Sequence, residues 1–247
     1  IVNDCKMLYN SIISAIPQNW KIVIRNYFYV RNPINTIPLK IEKVKRNSKP
    51  SKHIYSCLIQ KKNTGIPNRL HEKWQNDLNT VIDNDFLSQA FELSFESSLF
   101  PKLKVFQYRV IHRNLVTNKD LMLWGIKQDN LCTFCNEEEE TILHLLWECT
   151  FACRIWTQLF SWIYDNSEIN IVFTPKDTLL GVENLDNNIL YNTLFMIVKQ
   201  YLYSCRCREI LPNFNHLMKS IKEVILIEKY IAVKKNKLDI HNKKWAL

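Results

Sequence analysis

Three glycines in 247 residues set the first limit on what this chain can fold into. Glycine supplies the positive-φ positions of tight hairpins and the close backbone approach of phosphate loops. So few of them argue against Gly-rich nucleotide loops and tightly turned all-β folds, whereas a helical fold tolerates the shortage best. A hydrophobic fraction of 47% and an aromatic fraction of 12% are those of a folded chain, long enough for one large core or two modest ones.

Apolar spacing then predicts helices along most of the chain. Leu8, Ile12, Ile13 and Ile16 mark a short amphipathic helix that Pro17 interrupts, and "WKIVIRNYFYV" reads as a strand or a helix start. Leu70, Trp74 and Leu78 recur every fourth residue, and Phe86, Ala90, Leu93 and Phe100 continue in rough register, with Asp83 and Asp85 as an N-terminal cap region. After Pro101, Val105, Tyr108, Ile111 and Leu115 predict an apolar stripe, with Arg109, His112 and Arg113 on the other flank. "TNKDLMLWGI" reads as a capped helix, Thr117 at its start, Asp120 returning the bond and Gly125 at its end. Further helices are expected with Ile155, Leu159 and Trp162 on one face, over 187–205 and over 215–236. The apolar run "NNILYNTLFMIVKQYLY" is broken by Asn192, Lys199 and Gln200, so no membrane span is expected.

The net charge is +9. A basic surface suits nucleic acid or an anionic membrane as partner, although a merely lysine-rich solvated surface carries the same charge. Residues 31–62 hold nine Lys or Arg against the single acid Glu42, punctuated by Pro33, Pro38 and Pro50. Such a connector can neutralise a phosphate backbone without fixed geometry, or it can be a plain solvated linker.

Four of the eight cysteines crowd into "LCTFCNEEEETILHLLWECTFAC". Cys132, Cys135, His144 and Cys149 form a C-x2-C-x8-H-x4-C arrangement, in which two thiolates reach one ion from a tight turn and a later His and Cys complete a tetrahedron. Three thiolates and an imidazole close the first coordination shell, which points to one structural zinc ion rather than a catalytic one. Cys153, four residues after Cys149, competes as fourth ligand. Buried cysteines serving as small hydrophobes, or a C-x2-C redox pair, are the other readings, and the βαβ context of the redox pair is missing. Asn136 is placed to cap a helix whose first turn is Glu137 to Glu140. The acidic run would repel phosphates, so the knuckle is expected to organise the domain while basic segments make the contacts. With no leader-like start, the cysteines suit a reducing compartment, and the opening "IVNDCKMLYN" reads as a piece of something longer.

The run "FQYRVIHRNLVTNKDLMLWGIKQDNLCTFCNEEEETILHLLWECTFACRIW" resembles the zinc-binding region that ends the reverse-transcriptase polyprotein of LINE-type non-LTR retrotransposons. The pattern falls on His112, Leu115, Thr117, Cys132, Cys135, Glu140, Thr141, His144, Leu145, Cys149 and Trp156, densely over residues 67–163. The resemblance favours Cys149 over Cys153. It implies a place in a ribonucleoprotein of the cytoplasm and nucleus, in which this region helps bind template RNA and target DNA alongside the rest of the polyprotein. Polymerase chemistry needs paired aspartates on two metal ions; no Asp-Asp dipeptide occurs, and no endonuclease signature.

The expected fold is therefore mainly α: a helical C-terminal domain with an embedded CCHC zinc knuckle, preceded by a basic connector. The parts are 1–62 (helix and connector), 63–165 (zinc-binding domain) and 166–247 (helical segment). The expected activity is non-catalytic binding of RNA, with target DNA as a second ligand, through Lys102, Lys104, Arg109, His112, Arg113, Lys43, Lys45 and Arg46. The alternative is a protein-interaction module that docks on the polymerase core or a host factor through the acidic knuckle and aromatics such as Trp147.

Overall fold

The computed structural model describes residues 68–167, 172–183, 185 and 187–246. The expected helix over 4–16, the run 20–30 and the connector over 31–62, with Lys43, Lys45 and Arg46, lie outside the described residues. Gly65–Leu247 makes one compact unit. In chain order it contains α1 (Asn68–Leu78), α2 (Asn84–Glu96), α3 (Pro101–Ile111), α4 (Asn118–Leu123), a π-helical turn (His144–Glu148), α5 (Thr150–Ser167), α6 (Pro175–Leu180), α7 (Asn188–Cys207), α8 (Phe214–Lys234) and α9 (Leu238–Lys244). The fold is mainly helical, and among the described residues the only β pairing outside helices is an antiparallel bridge between Leu131 and Glu139. No described helix is long and apolar enough to cross a membrane.

Helix α7 is the central strut. Leu190, Tyr191, Leu194, Phe195, Met196, Ile197 and Val198 are all buried, so the helix is enclosed on every side along this stretch. Helices α2, α3, α5, α6 and α8 and the π turn pack around it. The expected 63–165 and 166–247 segments thus share one hydrophobic cluster.

Two of the polar residues that interrupt α7's apolar pattern, Asn192 and Lys199, fasten α6 and the loop after it. Asn192 donates to the Val182 carbonyl at 2.8 Å and accepts from its N–H at 2.9 Å. The close approach leaves no room at Gly181, whose φ is +127° and where an added Cβ would lie 3.3 Å from Asn192 Oδ1. Lys199 is 1% exposed and donates to the Leu179 carbonyl at 2.9 Å. Gln107 of α3 donates to the same carbonyl at 2.9 Å.

Helix starts follow the sequence signals closely. Thr117 with Asp120, and Thr174 with Asp177, form reciprocal capping boxes. The Asp83 side chain accepts from the Asp85 N–H at the head of α2. Helices α7 and α8 lie close to the spans expected over 187–205 and 215–236.

The α3 face differs from the expected one. Leu103, Phe106, Gln107, Val110 and Ile111 are buried, whereas Val105 is 59% exposed and Tyr108 43% exposed. Two overlapping stripes exist in the sequence, and the one with more aliphatic bulk packs. Helix α3 also ends at Ile111, and Arg113 takes a φ of +55°, so Leu115 cannot extend the stripe. Trp74 of α1, fully buried, closes this end by donating its indole N–H to the Ile111 carbonyl at 2.8 Å.

Burial drives the Lys199 pKa well below the ordinary lysine value. The unfolded chain therefore binds a proton that the folded chain excludes, and stability rises with pH between the lowered folded value and the ordinary one. For a single proton the slope is up to about 1.4 kcal/mol per pH unit. Lys199→Met is expected to raise the melting temperature near neutral pH. That gain should shrink as the pH approaches the ordinary lysine value, as thermal denaturation across a pH series would read; a pH-independent difference would contradict it.

Candidate metal centre

The knuckle is built from a turn rather than the expected helix. Asn136 takes a φ of +56°, tolerable for asparagine, and its N–H bonds the Cys132 carbonyl at 2.9 Å. The Cys132 N–H donates to the Glu138 carbonyl at 2.8 Å and the Glu140 N–H to the Asn130 carbonyl at 2.7 Å. These bonds fold 130–140 back on itself, so Asn136 caps no helix. Thr141 takes that role, its hydroxyl accepting from the His144 N–H at 3.0 Å.

The π turn then brings the last two candidate ligands together. In an α-helix, at about 100° per residue, positions five apart point about 140° away from each other. Here the Cys149 N–H reaches the His144 carbonyl at 2.8 Å, an i to i+5 bond that widens the turn. Cys149 follows with extended backbone and leads into α5.

The ligand atoms of Cys132, Cys135, His144 and Cys149 all lie within 4.8 Å of one another. The Cys132 and Cys149 sulfurs are 3.8 Å apart, and His144 Nε2 lies 3.4 Å from the Cys135 sulfur. Zn–S bonds of about 2.3 Å in a tetrahedron put sulfurs about 3.8 Å apart, whereas a disulfide requires about 2.05 Å. The donor set thus fits zinc in both chemistry and spacing. Cys153 is exposed, and its thiol bonds the Trp147 carbonyl at 3.0 Å and the Glu148 carbonyl at 3.5 Å, outside the cluster.

The sulfurs sit where the backbone favours thiolate. Cys149 accepts from the Phe151 and Ala152 N–H groups at the start of α5. Its pKa is lowered to about 5, chiefly because the Cys132 thiol hydrogen-bonds to it. That same bond, reinforced by burial, pushes the Cys132 thiol up, while N–H groups of Cys135 and Phe134 pull the other way. A bound dication would hold both as thiolates. With Nε2 toward the sulfurs, His144 Nδ1 is buried without a hydrogen-bond partner. Exposed Glu138 lies 3.6 Å from it, too long for a hydrogen bond but placed to orient the ring.

One buried carboxylate fastens the knuckle to the domain. Glu140 is 0% exposed. It accepts from the Asn118 N–H at 2.8 Å, from the Thr133 N–H and hydroxyl at 2.8 and 2.7 Å, and from Arg206 Nε at 2.9 Å. Arg206 also donates to Asn118 Oδ1 at 2.8 Å. Knuckle, α4 and α7 therefore meet at one carboxylate. By sequence Glu140 falls in the first turn of an expected helix and within the pattern of the resemblance; its buried role depends on an arginine 66 positions away.

The expected contact residues are not brought into one cluster. Arg113 pairs with Asp77 at 2.5 Å and lies 4.7 Å over the Trp74 ring, so it serves the α1–α3 junction. Lys102 faces α7 and α8, near Tyr201 and Glu223. Burial, then Lys235 and Lys237, lower the Lys104 pKa, while Glu228 pulls it the other way. Arg109 donates to the Asn114 carbonyl at 3.2 Å. His112 packs at a tilt against Tyr108 and Phe91, and burial lowers its pKa.

Together, fold and site define a helical module organised around a three-cysteine, one-histidine metal knuckle. A family model described as zinc-binding in reverse transcriptase matches residues 50–156. Over that stretch the chain is similar to such zinc-binding regions, and the match and the cluster point to one structural zinc ion. No curated protein matches the chain.

Cys149→Ser is expected to lower bound zinc well below one equivalent per chain, while Cys153→Ser keeps the full equivalent, measured by metal analysis after gel filtration. Equal loss in both would reassign the fourth ligand. Glu140→Gln strips the charge partner from a largely buried arginine, and such losses cost about 3–5 kcal/mol. Denaturant unfolding of the zinc-loaded protein should show a loss of that order.

Proposed function

We propose that this chain is the zinc-stabilised, non-catalytic C-terminal module of a LINE-type non-LTR retrotransposon reverse transcriptase. It binds RNA, and target DNA at the insertion step, within a ribonucleoprotein that works in cytoplasm and nucleus. The family match over residues 50–156 and the net charge of +9 support this reading. The observation that carries it is a set of lysines left without carboxylate partners: exposed Lys102, Lys235 and Lys237 and half-buried Lys104. Among the described residues none of the four has an ion-pair partner, and at Lys104 burial comes first, with Lys235 and Lys237 lowering the pKa against an opposing pull from buried Glu228. Ammonium groups without ion-pair partners are stabilised by a polyanion, which exchanges its condensed counterions for them. Arg109 adds to these cations and Arg113 acts through the fold, while Lys43, Lys45 and Arg46 of the connector supply further phosphate contacts of their own.

The zinc holds the knuckle and performs no chemistry on the nucleic acid, because its four protein donors leave no open position. Glu137, Glu138, Glu139 and Glu148 keep phosphates off the knuckle's own surface.

For the purified zinc-loaded chain, log affinity for RNA is expected to fall linearly with log salt, by about 0.7–0.9 per phosphate contact. Lys104→Gln combined with Lys235→Gln should weaken binding and flatten the slope by one to two contacts' worth. Fluorescence anisotropy across a salt series measures both. No binding at low salt by folded, zinc-loaded protein would sink the proposal and favour docking on the polymerase core.

A further inference from the structure

The outer face of α2 and α3 carries aromatic rings that the core does not use. Tyr108 is 43% exposed and Phe95 49% exposed, and their ring centroids lie 6.4 Å apart. Phe91, half-buried, supports them from below, 5.6 Å from Tyr108 and 4.8 Å from His112. His112 continues the row 4.3 Å beyond Tyr108. Along α3, Lys104, Tyr108 and His112 follow one another at four-residue intervals, so one ridge presents a cation and then two rings. Arg109 flanks the ridge one position on, its guanidinium tethered only through Nε.

We infer that this ridge is a stacking platform for the unpaired bases of single-stranded RNA, with Lys104 and Arg109 taking the flanking phosphates. The inference rests on the nucleic-acid-binding reading and adds what kind of nucleic acid the module takes and where. A base offers a flat π face to any exposed ring regardless of sequence, while a duplex hides its base faces within the stack. Rings exposed beside cations therefore suit a single strand, and a duplex would meet only the cations.

Charge sets the course of the strand. Glu92 and Glu96 are exposed on the α2 side of Phe95, so phosphates are excluded there. On the α3 side, Lys104 feels Lys235 and Lys237 from the junction of α8 and α9, with Glu228 beside them buried and already paired with Lys244. The backbone then runs from that basic junction along Lys104 to Arg109, with bases turned toward Phe95 and Tyr108. The lowered pKa of His112 keeps its imidazole neutral near neutral pH, which suits a ring that stacks rather than one that pairs with phosphate.

The test uses the full zinc-loaded chain with an unstructured single-stranded RNA and the same RNA annealed to its complement. The parent protein should bind the single strand more tightly. Tyr108→Ala should weaken single-strand binding by about 5- to 100-fold, the range that stacking of one base supplies, with duplex affinity and salt slope unchanged. Tyr108→Trp should restore it. Phe95→Ala, at a second exposed site, gives an independent reading if Tyr108→Ala is poorly folded by melting temperature and zinc content. If both alanine variants bind single strands as the parent does, the platform is overturned while RNA binding by the module stands. If the parent binds neither RNA, the platform and the proposed function fall together.

Discussion

A carboxylate with no exposed surface holds this domain to its metal knuckle. Glu140 gathers the N–H that opens α4, the turn between Cys132 and Cys135, and an arginine from the central helix α7. A buried charge left unmatched is expensive, so the arrangement persists only with every donor in place. The knuckle is thereby fixed in orientation as well as in internal shape: zinc sets the geometry among its four ligands, and Glu140 sets how that unit sits on the helices.

The same device recurs at the other end of the unit. Glu228 of α8, also 0% exposed, accepts from Lys244 at 2.8 Å, from the Trp245 indole at 3.0 Å, from the Leu99 N–H at 2.9 Å and from the Ser98 hydroxyl. Burial alone would raise its pKa, but Lys244 and the other donors hold it below the ordinary carboxylate range. The basic C-terminal stretch is thus partly structural: Lys244 closes α9 onto α8 and the 97–99 loop, while Lys235 and Lys237 remain exposed. In a chain so rich in lysine, burial and pairing separate the cations that build the fold from those available to a polyanion.

What the sequence made legible was local. The capping box at Thr117, the Asp83 cap, the limits of α7 and α8 and the four clustered ligand positions all depend on neighbours within a turn or two. What stayed hidden depended on distant partners or on competition between patterns. The zinc-binding pattern picks out Glu140 from its acidic neighbours, but its buried pairing shows only once Arg206 is placed beside it. The α3 stripe through Val105 and Tyr108 is as regular as the one through Leu103, Phe106 and Val110, and only packing against α7 chooses between them. A run of four glutamates after Asn136 is a sound helix start by local rules, but ligand positions on both sides of it require a reversal instead. The basic cluster around Lys104 joins α3 to residues about 130 positions later, which no windowed reading connects.

The π turn carries a consequence for how this site tolerates change. A π turn is an α-helix with one residue inserted, and here the extra residue brings His144 and Cys149 to the same side. Deleting one residue between them would remove the i to i+5 bond that returns Cys149 to the side of His144, and would draw the start of α5 back by one residue. Trp156, which donates to the Leu146 carbonyl across this junction at 2.7 Å, would leave its place in the core at the same stroke. Substitutions at the intervening positions can be absorbed, but their number cannot drift. The spacing from histidine to the last cysteine is therefore fixed jointly by coordination and by where the chain must enter α5, a stricter condition than either imposes alone.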